Sequence, residues 1–188
     1  RMFRPLGRLT GALGMMDTVQ ADPPPVAGLP ASEVTLPEAL QLAGYATGMV
    51  GKWHLGDFSA DPRHHPRRHG FDYFAGFPHS NDLFPYSYWK DDALVEADFG
   101  SRQTDITATL TREAIGFIEA NRSQPFLLYY AHKTVHTPLF PSPAFAGRSE
   151  AGPYGDSVEE LDASVGEIVS ALASRGRLLK HEAYVHSY

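Results

Sequence analysis

Two short stretches concentrate side chains that can hold and process an oxyanion. In "GKWHLG", Lys52 and His54 stand two apart, directly after the apolar run that begins at "YATGMV". In "AHKTVHTP", His132, Lys133 and His136 precede Pro138, directly after "FLLYY". A lysine supplies a compact positive charge. A histidine donates to an anionic oxygen, takes up a proton, or passes one to a leaving group. If both apolar runs are strands of a mostly parallel sheet, their carboxyl ends lie on one edge, where ligands of such sheets bind. The two turns would then form a cationic pocket for a small anion. The plainer reading of each residue is a hydrogen-bonded structural role, and residue type alone leaves both open.

Other polar groupings point less clearly to chemistry. "RHHPRRH", residues 63–69, reads as a solvated loop, because no helix or aromatic platform organises it. "HSND", residues 79–82, reads as an Asx or Ser turn. Asp162 is expected to be a surface or tertiary hydrogen-bonding group, and Tyr129 and Tyr130 to belong to a strand and its core. The aromatic stretch "DLFPYSYW", Asp82 to Trp89, suits either an apolar leaving group or core packing.

Composition narrows the function classes. The 188 residues amount to about one domain, with 43% apolar and 20% charged residues. A formal net charge of −6 gives no reason to expect nucleic acid or an anionic membrane as partner. No apolar run approaches the roughly 18 residues of a membrane span. With no cysteine, the sequence offers no disulfide, no thiolate metal site and no cysteine nucleophile. The chain opens on Arg1 without a signal-peptide pattern, so an internal fragment is expected.

The elements that would position these residues alternate. "DPPP", Asp22 to Pro25, is loop. "TLPEALQLAGY" predicts a helix with a capping box from Thr35 and Glu38, Pro37 in its first turn and Gly44 as its stop. "YATGMVG" predicts a short buried strand, weakened by Gly48. Residues 54–103 read as loop-rich. Asp105 to Ala120 predicts a helix with Ile106, Leu110, Ala114, Phe117 and Ile118 on one face. "FLLYYA", 126–131, predicts a strand buried on both faces. The last predicted helix runs from Ser157 to Ser174, capped by Asp156 and Glu159 and ended by Gly176. Its apolar stripe is Val158, Leu161, Val165, Ile168, Val169 and Leu172. This alternation predicts an α/β fold with a mostly parallel sheet flanked by helices.

These residues resemble a known family. "GYATGMVGKWHLG" is similar to the second signature of the type I sulfatases, the arylsulfatase family. "HGFDYFAGFPHSND", "PFLLYYAHKTVHTP" and "GPYGDSVEELDASVG" resemble, in order, later segments of arylsulfatase A-like enzymes. "GRLTGALGM" resembles the stretch just after the first signature. The resemblance covers residues 35–175 and, loosely, 1–34, and implies an alkaline-phosphatase-like sheet that hydrolyses sulfate monoesters.

Carried over residue by residue, the resemblance makes Lys52 the lysine that contacts both sulfate and nucleophile. His54 becomes the base that helps expel the covalent sulfate. His136 binds the sulfate and protonates the leaving oxygen, Ser80 contacts substrate, and Arg1 sits where the arginine of C-x-P-S-R should lie. The nucleophile implied is a formylglycine made from the Cys or Ser that opens that motif, upstream of Arg1, by formylglycine-generating machinery. The calcium ligands implied are an Asp pair upstream and an Asp-Asn pair after "GRLL", where "KHEAYVHSY" has none. The expectation is therefore a partial sulfatase catalytic domain over residues 1–188, incomplete at both ends, and inactive alone. A truncation or frame change near Lys180 fits its ending. The resemblance suggests a secreted, periplasmic or lysosomal setting and a small sulfate ester as substrate. The alternatives are an inactive anion-binding remnant and a phosphoryl or phosphonate hydrolase of the same fold.

Overall fold

The computed structural model describes residues 28–173, so the expectations for Arg1, "DPPP" and everything after Ala173 lie outside the described residues. Helix α1 spans Leu36–Leu42, and β1 follows at Ala46–Lys52. Strands β2 (Tyr73–Phe77), β3 (Tyr88–Lys90) and β4 (Ala93–Glu96) come next. Helix α2 (Ile106–Ala120), β5 (Phe126–Ala131) and helix α3 (Gly152–Ala173) complete the order.

The strands form one sheet in the order β4-β3-β2-β1-β5. β1 pairs in parallel with β2 and β5, whereas β2–β3 and β3–β4 are antiparallel. The sheet thus combines a parallel β2-β1-β5 part with an antiparallel β2-β3-β4 part, within the α/β arrangement expected. Its three antiparallel-side strands arise in the stretch 54–103, which the sequence presents as loop. "YFAGF" is short, carries Gly76 and is bounded by Pro78, so its apolar pattern is hard to separate from a loop. The parallel pairing with β1 is what makes it a strand.

Close approach between strands depends on glycine. Gly51 has φ +123, and a Cβ there would lie 1.9 Å from the carbonyl oxygen of Ala131 in β5. A Cβ on Gly76 would lie 1.9 Å from the carbonyl oxygen of Gly51. Gly48, which weakens the strand pattern in the sequence, leaves room for the Phe117 ring, 2.6 Å from where its Cβ would stand.

Apolar side chains fill both faces of the sheet. On one face Val50, Ala75, Phe77 and Tyr130 pack with Ile106, Leu110, Ala114 and Ile118 of α2 and with Ile168 and Leu172 of α3. On the other, Met49 and Phe74 pack with Trp53, Phe58 and Phe71. Successive residues of β1 feed opposite cores, as the two-residue period of a strand requires. β5 departs from its expectation: its first four residues are only half-buried, because β1 is its one neighbour among the described strands.

α1 has its predicted capping box, α2 its predicted face, and α3 is displaced. Thr35 and Glu38 form the capping box of α1, Glu38 Oε2 accepting the Thr35 N–H at 2.7 Å and Thr35 Oγ1 accepting the Glu38 N–H at 3.3 Å. The apolar face of α2 is buried as predicted. α3, however, begins at Gly152, and Asp156 lies inside it. The Asp156 carboxylate instead accepts the N–H groups of Gly147, Arg148 and Ser149, capping the turn before the helix. The buried line of α3 is correspondingly Ser157, Glu160, Ser164, Ile168 and Leu172, and Val158 is exposed.

The "RHHPRRH" stretch is not a solvated loop. It forms two 3-10 turns, Pro62–His64 and Pro66–Arg68, with His65 and His69 buried. The His65 ring meets Phe58 edge-on at 4.6 Å, and its Nδ1 accepts the Arg67 N–H at 3.2 Å. The His69 ring stacks on Trp53 at 5.6 Å. As neutral imidazoles these rings pack like small aromatics, which polarity counted along the sequence cannot register.

Candidate active site

Lys52 is the last residue of β1, in register with Phe77 at the end of β2. The pairing continues past the strands: the Trp53 N–H donates to Phe77 O at 3.0 Å and the His54 N–H to Pro78 O at 2.9 Å. These bonds lay the Lys-Trp-His turn against the loop that leaves β2. Trp53 is buried between His69 and Phe71 and anchors the turn in the second core. The backbone bends sharply here, and His54 adopts the left-handed region with φ +54. A non-glycine residue there costs on the order of 1 kcal/mol or more, and such strain concentrates at functional sites.

The same pairing brings Lys52 to Ser80. Lys52 Nζ donates to Ser80 Oγ at 3.4 Å, and Ser80 is buried. The ammonium thus leans on a neutral hydroxyl rather than a carboxylate, which leaves its charge available to a ligand. Burial pushes the Lys52 pKa down, with Asp82 opposing.

His54 carries the largest perturbation of the group. Burial, followed by the charges of Lys52, His79 and His136, lowers its pKa to about 4, with Asp82 opposing. Its Nε2 is buried and has no hydrogen-bond partner among the described residues. At neutral pH His54 is therefore an uncharged imidazole with a lone pair to offer, the state of a proton acceptor.

His136 lies beyond the end of β5 and is half-buried. Its Nδ1 donates to Thr137 O at 2.5 Å, because a carbonyl only accepts, and this leaves Nε2 to meet a ligand. Its charge is among those that act on His54. His132 and Lys133 do not join them. His132 Nδ1 accepts the Thr134 N–H at 3.0 Å, and burial lowers its pKa to about 3. Lys133 is buried with its ammonium 5.8 Å from the Phe140 ring, in the field of Glu160 on α3.

Lys52 and His54 stand at the end of β1, Ser80 is bonded to Lys52, and His136 acts on His54 through its charge, while Arg1 lies outside the described residues. Sequence reasoning overlooked His79 and Asp82, which shape the field at His54, since "HSND" looked like a turn. It also gave no signal for Gln103, whose contacts are described below. Asp162 is exposed, in keeping with a surface role.

Chemically, the arrangement offers a fixed cation, a hydroxyl, a neutral imidazole and a second imidazole with one nitrogen free. Such a set stabilises an oxyanion and moves protons about it. It does not fit a calcium ion, which takes about six to eight oxygen ligands. No group of three or more His, Asp or Glu side chains is placed to hold a metal ion among the described residues.

Comparison with known proteins agrees with this chemistry. A family model described as Sulfatase matches residues 7–180. An arylsulfatase from Hemicentrotus pulcherrimus is 42% identical over 165 residues, covering 77% of this chain and 29% of that protein. The N-acetylgalactosamine-6-sulfatase of Mus musculus is 40% identical over 165 residues, covering 79% and 31%. A solved Bacteroides thetaiotaomicron structure, described in connection with the metabolism of multiple glycosaminoglycans, superposes with a TM-score of 0.73. It is 26% identical and covers 80% of this chain and 44% of its own. The chain thus spans about three-tenths of the length of these curated relatives and shares the alkaline-phosphatase-like fold of the solved structure. The chain belongs to the sulfatase family.

Proposed function

We propose that this chain forms the sulfate-gripping and proton-handling part of a sulfuric ester hydrolase. The observation that carries the reading is the Lys52–Ser80 contact beside a neutral, half-buried His54. A sulfate monoester is an anion, and negative charge grows on its leaving oxygen as the S–O bond breaks. Lys52 and Ser80 hold sulfate oxygens, and His136 Nε2, when protonated, donates to the leaving oxygen. His54, a neutral imidazole beside them, is the group that takes up a proton. General acid or base assistance of this kind contributes about 10²–10⁴-fold. The formylglycine and calcium implied by the resemblance belong, in this reading, to residues other than 28–173, and no step above runs through them. The relatives' names share a sulfate and differ in the alcohol that carries it, and the residues gathered here deal with the sulfate.

The test uses the 188-residue chain and inorganic sulfate, titrated calorimetrically at constant ionic strength. Lys52→Ala and His136→Ala should each weaken sulfate at least about tenfold while the melt stays cooperative. Equal affinity in Lys52→Ala and the parent would sink the assignment. With a chromogenic aryl sulfate and calcium, the chain alone should give binding without turnover; turnover would show that it carries a nucleophile of its own.

A further inference from the structure

We propose that Asn81 and Gln103 are positioning residues for the anion site, forming a buried amide latch that sets the spacing between the Ser80 loop and the His136 loop. This inference rests on the anion-site reading above. Asn81 is adjacent to Ser80 and 1% exposed; Gln103 lies in the 3-10 segment before α2 and is 5% exposed. Asn81 Nδ2 donates to Gln103 Oε1 at 2.6 Å and to Pro138 O at 3.0 Å. Gln103 Nε2 donates back to the Asn81 carbonyl oxygen at 3.1 Å.

This pattern has one consistent orientation. Pro138 offers only a carbonyl, so the Asn81 amide must turn its nitrogen toward it, and Gln103 must then present oxygen to Asn81 Nδ2 and nitrogen to Asn81 O. Three segments are joined in this way: the exit of β2, the entry of α2 and the exit of β5. Pro138 is two residues past His136, and Ser80 immediately precedes Asn81 and contacts Lys52. β2 and β5 do not pair with each other, since β1 lies between them. The strand ladder alone therefore leaves the distance between their exit loops to other contacts, and the latch spans it. The three bonds fix this one amide orientation, and Asn81 Oδ1 stays buried without a hydrogen-bond partner among the described residues.

The test needs no identified substrate. Gln103→Met keeps the side-chain volume and removes both of its bonds to Asn81. With inorganic sulfate as probe, affinity should fall about tenfold in the parent background but less than about twofold in a His136→Ala background, because the latch acts through the placement of His136. An equal loss in both backgrounds, or none, overturns the proposal. His54, followed by imidazole NMR without ligand, should titrate at higher pH in Gln103→Met as the charge of His136 recedes; an unchanged midpoint overturns it. A parent chain that fails to bind sulfate overturns the site reading, while the His54 titration still decides the latch. If Gln103→Met does not fold, Gln103→Glu replaces it. Its protonated carboxyl restores the donor to Asn81 O, so its sulfate affinity should approach that of the parent as pH falls. A deficit that persists in acid counts against the latch.

Discussion

Lys52 and Ser80 are twenty-eight residues apart in sequence, yet Lys52 Nζ lies 3.4 Å from Ser80 Oγ. The contact exists because β1 and β2 run parallel and end together, Lys52 opposite Phe77. Ser80 then needs only the short step through Pro78 and His79 to come beneath the ammonium. Lys52→Arg separates charge from shape at this point. Arginine keeps the charge, but its planar fork does not fit where one ammonium meets one hydroxyl. Sulfate affinity in Lys52→Arg should fall between that of the parent and Lys52→Ala, as read by calorimetry.

His54 offers a sharper reading of the same electrostatics. Its imidazole should titrate near pH 4 in the free chain, well below the usual histidine range. Bound sulfate stabilises the protonated ring, so saturating sulfate should move the midpoint upward. By linkage, sulfate should bind more tightly as pH falls toward 4. A midpoint indifferent to sulfate, followed by NMR, would remove His54 from the site.

Acid should destabilise the fold through its buried imidazoles. His132 is lowered to about 3, and burial also lowers His65 and His69. His132 and His65 each accept a backbone N–H through Nδ1, a bond that protonation of that nitrogen removes. The unfolded chain binds protons near pH 6.5, before the folded one does. This contribution to stability is complete above that pH and is lost as pH falls through 6.5 toward about 3, at on the order of 1 kcal/mol per unit of displacement. Urea melts from pH 7.5 to 4.5 should show the midpoint falling. His132→Asn, which cannot titrate, should flatten the slope.

His65→Ala should destabilise by roughly 2–4 kcal/mol, since it empties an aromatic-lined site and frees the Arg67 N–H. His65 is buried against Phe58 and Phe74. Sulfate affinity in the folded fraction should be unchanged. A thermal melt matching the parent's would return this stretch to the status of a solvated loop.

Gly76→Ala should prevent folding. Its Cβ would meet the Gly51 carbonyl oxygen at 1.9 Å, backbone against backbone, where no side chain can move aside. Gly116→Ala, in α2 with nothing within 4 Å of the added carbon, should by contrast stabilise slightly. Circular dichroism of the pair provides the contrast.

What the sequence determined by itself is local. The capping box of Thr35 and Glu38, the apolar face of α2, the two strands that end at Lys52 and Ala131, and the chemistry-bearing types at 52, 54 and 136 all follow from spacing within a dozen residues. The signature around Lys52 likewise points to the sulfatase family without any coordinates. Tertiary structure decided the rest. "YFAGF" became a strand because β1 offered it a parallel partner, and β3 and β4 followed by antiparallel pairing. His65 and His69 entered the core because the rings of Phe58 and Phe74, and of Trp53, pack against them. His136 came within electrostatic reach of His54, while Lys133, three residues earlier, lies in the field of Glu160. Asn81 and Gln103 met only because the exits of β2 and β5 needed a bridge across β1. These outcomes depend on partners that the pattern of a single element does not name, whether the hairpin neighbour of β3 or a strand exit more than twenty residues away, and burial and pKa are properties of that neighbourhood, which residue order does not carry.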